Sequence, residues 1–253
     1  MAHMERYDGK VVVITGASEG IGAALAEEVG RRGAHVVLAA RTQGKLVEVG
    51  GRIGNHALVV PTDVTVRADV ERLRDEAIAK LGHVDVWVNN VGRAISKPLL
   101  ALTDEDVDTV VRDNVKSALY GMQAIVPHLV ERGEGTIANV SSMLGRVPFA
   151  PFRSMYSAAK AALNSLTETL RAELREKAPR VRVVTVLPGV VATNFGLNAL
   201  HGGPDSRTLP NAQDVGEAAR AIADGLLSRN GDLFTRAGAD KVALGYLEGL
   251  AKS

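Results

Sequence analysis

The chain has no cysteine, which excludes a disulfide framework and a thiolate metal site and is compatible with a reducing compartment. Its six histidines are scattered with no pair at ligand spacing and no acidic cluster beside them, so no metal is expected. Neither sign of charge prevails: thirty basic against twenty-nine acidic side chains leave a formal +1. That balance shows no nucleic-acid footprint and no bias toward a membrane surface. No apolar run approaches the roughly 18–20 residues of a membrane span, and the start has no signal-peptide core. A cytoplasmic protein without nucleic-acid or membrane partners is expected. Internal repeats, low-complexity tracts and linkers are also missing, so one domain over residues 1–253 is expected. Residues 1–4, Met1-Ala2-His3-Met4, read as an expression-tag remnant before a native Met4.

What is present is 46% apolar residues, 26 glycines and a steady alternation of elements. Short apolar runs at residues 10–15 (KVVVIT), 35–40 (HVVLAA), 57–60, 84–89 (VDVWVN), 136–140 (TIANV), 181–186 (VRVVTV) and 232–235 read as seven strands. Helical stretches separate them: one to Arg32, one over residues 66–80 with Thr65 as N-cap, one from the acid-rich start at Thr103 toward Arg132 with a break, a long one opening near Tyr156, and one over 212–227. Continuous apolar strands alternating with helices imply a doubly wound α/β fold with a mostly parallel sheet.

Three features point to chemistry. Gly16, Gly20 and Gly22 follow the first strand and open a helix, where a dinucleotide fold needs a tight turn, close backbone approach to a pyrophosphate, and helix–strand packing. The spacing is G-x-x-x-G-x-G rather than the usual G-x-G-x-x-G. The second strand ends in Ala40-Arg41 with no acid until Glu48. An acid there would hold a ribose 2′-hydroxyl, whereas Arg41 suits a 2′-phosphate, so NADP(H) is preferred and NAD(H) is the alternative. Tyr156 and Lys160 stand four apart on one helix face. An ammonium beside a phenol lowers its pKa from about 10; a shift of two to three units needs roughly 3–4 kcal/mol of differential stabilisation.

The sequence resembles the short-chain dehydrogenase/reductase family in its single-domain form. The stretch Thr15-Gly16-Ala17-Ser18-Glu19-Gly20-Ile21-Gly22 is similar to the family's cofactor turn. Asp63-Val64 matches its adenine-contacting pair, and Asn89-Asn90-Val91-Gly92 its strand-four motif, with Val91 where alanine is usual. Pro188-Gly189-Val190-Val191-Ala192-Thr193 matches its motif after strand six. The resemblance implies a seven-stranded Rossmann fold. It also implies cofactor contacts from Gly16, Ser18, Glu19, Gly20, Ile21, Gly22, Arg41, Asp63, Val64, Asn90, Gly92, Pro188, Gly189, Val191 and Thr193, joined by Tyr156 and Lys160. Asn114, Ser142, Tyr156 and Lys160 fall at its catalytic positions.

The implied reaction interconverts a ketone or aldehyde and an alcohol by hydride transfer. Tyr156 supplies the proton, Ser142 donates to the same oxygen, and Lys160 keeps the phenol acidic and reaches the ribose; Asn114 holds a water relay. Asn89 reads as a structural residue that ties loops together. Phe149, Phe152, Met155, Phe195, Leu197 and Leu200 are candidates for an apolar pocket, with residues 193–212 as its lid. Arg146, Arg153 and Arg207 are candidates to meet an acidic carrier. A 3-oxoacyl-carrier (ACP or CoA) reductase and a non-catalytic NADP-sensing module are the alternatives to a small-molecule carbonyl reductase. The resemblance further implies a homo-oligomer, tetramer or dimer.

Overall fold

A computed structural model describes residues 6–252; the expected tag remnant lies outside the described residues. Seven strands, β1 (Val11–Thr15), β2 (His35–Ala40), β3 (Ala57–Pro61), β4 (Val86–Asn89), β5 (Gly135–Val140), β6 (Val181–Leu187) and β7 (Gly231–Phe234), form one sheet in the order β3-β2-β1-β4-β5-β6-β7. Every pairing is parallel. The helices are α1 (Gly20–Arg31), α2 (Gln43–Ile53), α3 (Arg67–Leu81), α4 (Asp104–Val111), α5 (Ser117–Arg132), α6 (Ser154–Lys177), α7 (Val215–Leu226) and α8 (Ala239–Leu250). The chain order reverses between β1 and β4, and the crevice at their carboxyl ends is where such sheets bind ligands.

The strands alternate sides with a period of two, and both sides are covered. Val12, Ile14, Val36, Leu38, Val86, Val88, Val184 and Val186 face one layer, packed on Leu25 and Val29 of α1, Leu46 of α2, and Ile222 and Leu226 of α7. Val11, Val13, Val37, Trp87, Ile137, Val181 and Val183 face the other, packed on Leu73 of α3, Ile125 and Leu129 of α5, and Leu163 of α6. Each fully buried side chain of this size contributes about 1.5–3 kcal/mol. Among the described residues no helix is long and apolar enough to cross a membrane.

Three local features depart from the sequence reading and one follows it. Thr65 is not an N-cap: its amide and hydroxyl both donate to Asp63 Oδ1 (2.9 and 2.7 Å), and α3 begins two residues later with Val66 at the cap position. The helix after Thr103 does break, as a π-helical turn at Arg112–Lys116 between α4 and α5. Such turns insert one residue per turn and concentrate at functional sites; here the turn buries Asn114 completely. Helices α2 and α8 have no counterpart in the sequence reading. Finally, α7 starts at Val215 rather than at 212, capped by Asp214, whose side chain accepts from the Glu217 amide (2.9 Å).

Asp106 ties the start of α4 to the far side of the crevice. It completes a capping box with Thr103, accepts from Lys97 Nζ (2.6 Å) and contacts His201 Nε2 (2.6 Å). Hydrogen bonds from Lys97, then His201 and the Thr103 amide, hold its carboxyl well below the ordinary 3.8. A carboxyl whose folded pKa is depressed stabilises the fold above its unfolded pKa and loses that contribution as pH falls through the folded one. Asp106→Asn is therefore expected to lower Tm at neutral pH, with the gap to the unsubstituted protein narrowing below pH 3.8. Thermal melts across that range check it; a gap that is independent of pH would remove the carboxylate from the account.

Candidate active site

The carboxyl ends of the strands open onto one cavity of about 980 Å³. Its floor is the turn after β1. Gly16 has φ +67° and Gly20 φ +58°, a left-handed backbone that glycine adopts without strain. The Asn90 amide donates to the carbonyls of Thr15 (3.1 Å) and Gly16 (3.2 Å), locking the turn to the end of β4. Gly22 stands behind it, where a methyl group would lie 2.3 Å from the Gly16 carbonyl oxygen. Gly20 and Ile21 begin α1, whose free amides favour an anion. Ser18 also faces the cavity.

At one end, Arg41, Thr42, Lys45, Asp63 and Val64 form the rim. Arg41 and Lys45 are exposed. Glu19 does not stand as a free acid against a phosphate: its carboxylate takes Lys45 Nζ (3.1 Å) and Asn198 Nδ2 (2.9 Å). It is a strut between the start of α2 and the segment after β6. Asp63 is held ionised, the Thr65 hydrogen bonds lowering its pKa against the opposing effect of burial, with Arg41 assisting.

Toward the other end lie Ser142, after β5, and Tyr156 and Lys160 on the first turns of α6. Ser142 Oγ accepts from the Leu144 amide (3.1 Å), which leaves its own hydrogen to donate. Lys160 Nζ donates to the Val140 carbonyl (2.9 Å) and lies 5.7 Å from the centroid of the Tyr156 ring. Gly92 keeps the space beside it open; a methyl there would meet both Nζ and Asn114 Oδ1 at 2.9 Å.

The expected acidification of the phenol by Lys160 is not what the protein's own groups produce. Burial pushes Tyr156 up to about 12, outweighing the Ser142 hydroxyl and the Arg153 charge, which pull it down. Burial also pushes Lys160 down to about 7. The i, i+4 spacing does put both on one face, but that face is the buried one, so loss of water dominates.

Asn114 and Gly22 sit behind the cavity wall and not on it. The Asn114 amide donates to the carbonyls of Arg93 and Val110 (both 2.9 Å), and its oxygen accepts from the Arg93 amide (3.1 Å). It fastens the chain leaving β4 to the π-helical turn. Asn89 ties β4 to its neighbours, donating to Asn139 Oδ1 (2.8 Å) and the Ala118 carbonyl (3.3 Å) while accepting from Trp87 (2.8 Å). Asn90, Gly92, Pro188, Gly189, Val191 and Thr193 all line the cavity.

On the open side, Phe149, Phe152, Phe195 and Leu197 line the walls, with the Phe195 ring 5.6 Å from that of Tyr156. Met155 and Leu200 instead pack beside Tyr156 in a small cluster with Ile95 and Val110. Several of residues 193–212 also line the cavity, and the segment is pinned by Leu200, paired to Ile95, and His201, paired to Asp106. Arg146 and Arg207 are occupied by Asp232 and Asp205. Lys45 and Asn198 are site residues that the sequence reading missed; only the bare position of Lys45, one turn after Arg41, offered a signal.

The family model for short chain dehydrogenases matches residues 10–201. An uncharacterized oxidoreductase of Staphylococcus epidermidis is 35% identical over 190 residues, 75% of this chain and 81% of that protein. A short chain dehydrogenase/reductase from Burkholderia phymatum, solved in complex with NAD, superposes with a TM-score of 0.88 at 26% identity, covering 98% of this chain and 96% of that one. A short chain dehydrogenase from Burkholderia cenocepacia, solved in complex with NADP, gives 0.81 at 31% identity, covering 96% and 94%.

Proposed function

The chain belongs to the short chain dehydrogenase family of oxidoreductases, and from that premise we propose that it interconverts a ketone or aldehyde with an alcohol, using NADP(H) in preference to NAD(H). The observation that carries the reading is the convergence of Ser142, Tyr156 and Lys160 on the same cavity as the glycine turn. The residues present fit a dinucleotide. The α1 amides would hold its pyrophosphate, Asp63 and Val64 its adenine, and Lys160 Nζ, beside the space kept open by Gly92, its ribose.

When bound, the nicotinamide supplies or accepts the hydride. The rest falls to the chain. Tyr156 gives its phenolic proton to the carbonyl oxygen as charge builds there, and Ser142 donates a second hydrogen bond to that oxygen. A phenol held at about 12 is protonated throughout neutral pH, so the resting site is a proton donor, the form that carbonyl reduction requires. Asn114 acts by holding the Arg93 backbone beside Lys160; a proton relay past it to solvent is part of this proposal. The walls of Phe149, Phe152, Phe195 and Leu197 exclude water from the reacting carbon, with residues 193–212 as the cover. A homo-oligomer and a cytoplasmic location belong to the same reading. The exposed Val242, Leu244, Leu247 and Leu250 of α8 support the first, which light scattering reads directly; the cysteine-free chain supports the second.

The preference for NADP(H) rests on Arg41 and Lys45 at the rim and on the engagement of Glu19 with Lys45. Titration of Trp87 or cofactor fluorescence is expected to show tight NADPH and weaker NADH. Arg41→Ala is expected to lose about 10- to 100-fold in NADPH affinity, the size of a charge-assisted contact, with little change for NADH. Equal loss for both cofactors would refute 2′-phosphate recognition; binding of neither would remove the proposal.

A further inference from the structure

Three cationic side chains are buried among the described residues. Arg32 is paired with Glu28 and Asp224, and Lys160 belongs to the catalytic group. Arg153 is the third, 8% exposed, and its side chain finds only neutral partners: Nη1 donates to the Ile95 carbonyl (3.3 Å) and the Ser96 hydroxyl (3.0 Å). Among the described residues Nε and Nη2 have no hydrogen-bond partner, yet neither is sealed off, and Arg153 lines the cavity. Gly203 leaves the flank of Nη2 open, since a methyl group there would press on it at 3.0 Å. A guanidinium taken out of water without a counter-charge is costly and is rarely retained without use. Burial lowers the Arg153 pKa from the ordinary arginine value, with only the Tyr156 phenol acting the other way.

The unused donors, Nε and Nη2, form one planar edge of the guanidinium, the edge that takes a carboxylate through two parallel hydrogen bonds. The pyrophosphate has its own place at the α1 amides, so this edge is left for the substrate. We infer that Arg153 is the receptor for a carboxylate on the substrate, so that the enzyme acts on short oxo acids and the matching hydroxy acids. The inference rests on the oxidoreductase reading above. Arg153 is the N-cap of α6 and Tyr156 lies in its first turn, and the guanidinium is near enough for its charge to act on the phenol. A carboxylate on one and a carbonyl oxygen on the other therefore belong to one small molecule, with the two groups close together on a short chain. Phe149, Phe152 and Phe195 complete an apolar jacket around that short chain.

The test compares the four- and five-carbon 2-, 3- and 4-oxo acids with their methyl esters, using the full chain and NADPH. The unsubstituted enzyme is expected to prefer at least one acid over its ester by about tenfold or more in kcat/KM. Arg153→Met is expected to abolish that preference chiefly through KM for the acid, and Arg153→Lys, which keeps a cation without the two-pronged edge, to retain part of it. A purely structural Arg153 would lower activity on acid and ester alike and leave their ratio unmoved, which overturns the inference. So does a ratio near one in the unsubstituted enzyme. Melting temperature with each acid gives a readout that needs no turnover. An acid-specific rise that Arg153→Met removes, in a protein that reduces nothing, would sustain the carboxylate site while refuting the proposed reaction. Turnover of esters and acids at equal rates would do the reverse.

Discussion

Replacing Tyr156 by phenylalanine is expected to lower kcat by about 10²- to 10⁴-fold, the range for loss of a general acid, while NADPH still binds. The substitution removes one oxygen and leaves the ring in its place against Phe195 and among Ala94, Ile95, Val110 and Ala159. Stability is therefore expected to change little, and a kinetic loss can be assigned to the missing proton. Single-turnover measurement at saturating NADPH separates this from a binding defect. The same phenol sets a pH dependence. Its pKa, pushed up to about 12, keeps the proton-donating form populated across neutral pH, whereas alcohol oxidation needs the phenolate as acceptor. Oxidation is expected to accelerate with rising pH and reduction to stay level until the phenol begins to ionise. A phenylalanine variant with undiminished turnover would remove the acid from the mechanism, whereas NADPH binding without turnover in the unsubstituted protein would bring forward the NADP-sensing alternative.

Much of this architecture was legible in the sequence because it rests on local chemistry. The apolar runs of β1, β2, β5 and β6 are continuous because both faces are covered, and the glycine turn sits between a strand and a helix, where glycine adopts φ +67° and φ +58° without strain. What was illegible depends on tertiary placement. Helix α2 contains Gly44, Gly50 and Gly51, which mask its period, and α8 leaves Val242, Leu244, Leu247 and Leu250 exposed, so no buried stripe marks it. Thr65 looked like a cap, but the Asp63 carboxylate two residues earlier captures both of its donors. The spacing of Tyr156 and Lys160 foretold their shared face; the sign of the phenol's shift needed their burial. Arg153 was visible as one of three arginines near the site. Only the ion pairs of Arg146 and Arg207 distinguish it as the one without a carboxylate.

Gly22→Ala is expected to be the most damaging single methyl group at the cofactor end. Its Cβ would lie 2.3 Å from the Gly16 carbonyl oxygen and 2.5 Å from Asn90 Nδ2, distances that neither atom can accept. Both belong to one device, since that Asn90 nitrogen donates to the Thr15 and Gly16 carbonyls and holds the turn against β4. Relief requires the turn to move off α1 or Asn90 to release its bonds. Overpacking of this kind costs about 1–3 kcal/mol, and each backbone carbonyl left unsatisfied adds a further ~1–3 kcal/mol. The displaced turn no longer presents its amides to the pyrophosphate, so NADPH affinity is expected to fall by about 100-fold, the equivalent of roughly 2.7 kcal/mol. Gly51→Ala supplies the control: Gly51 lies in α2 with nothing within 4 Å of its Cβ position. There the same methyl is expected to stabilise the helix by about 0.5–1 kcal/mol and leave NADPH binding intact. Melting curves and NADPH titrations on the two variants decide the matter. An alanine at 22 that binds NADPH as the unsubstituted protein does would show that the turn tolerates separation from α1, and that the close packing here is not what orients the amides.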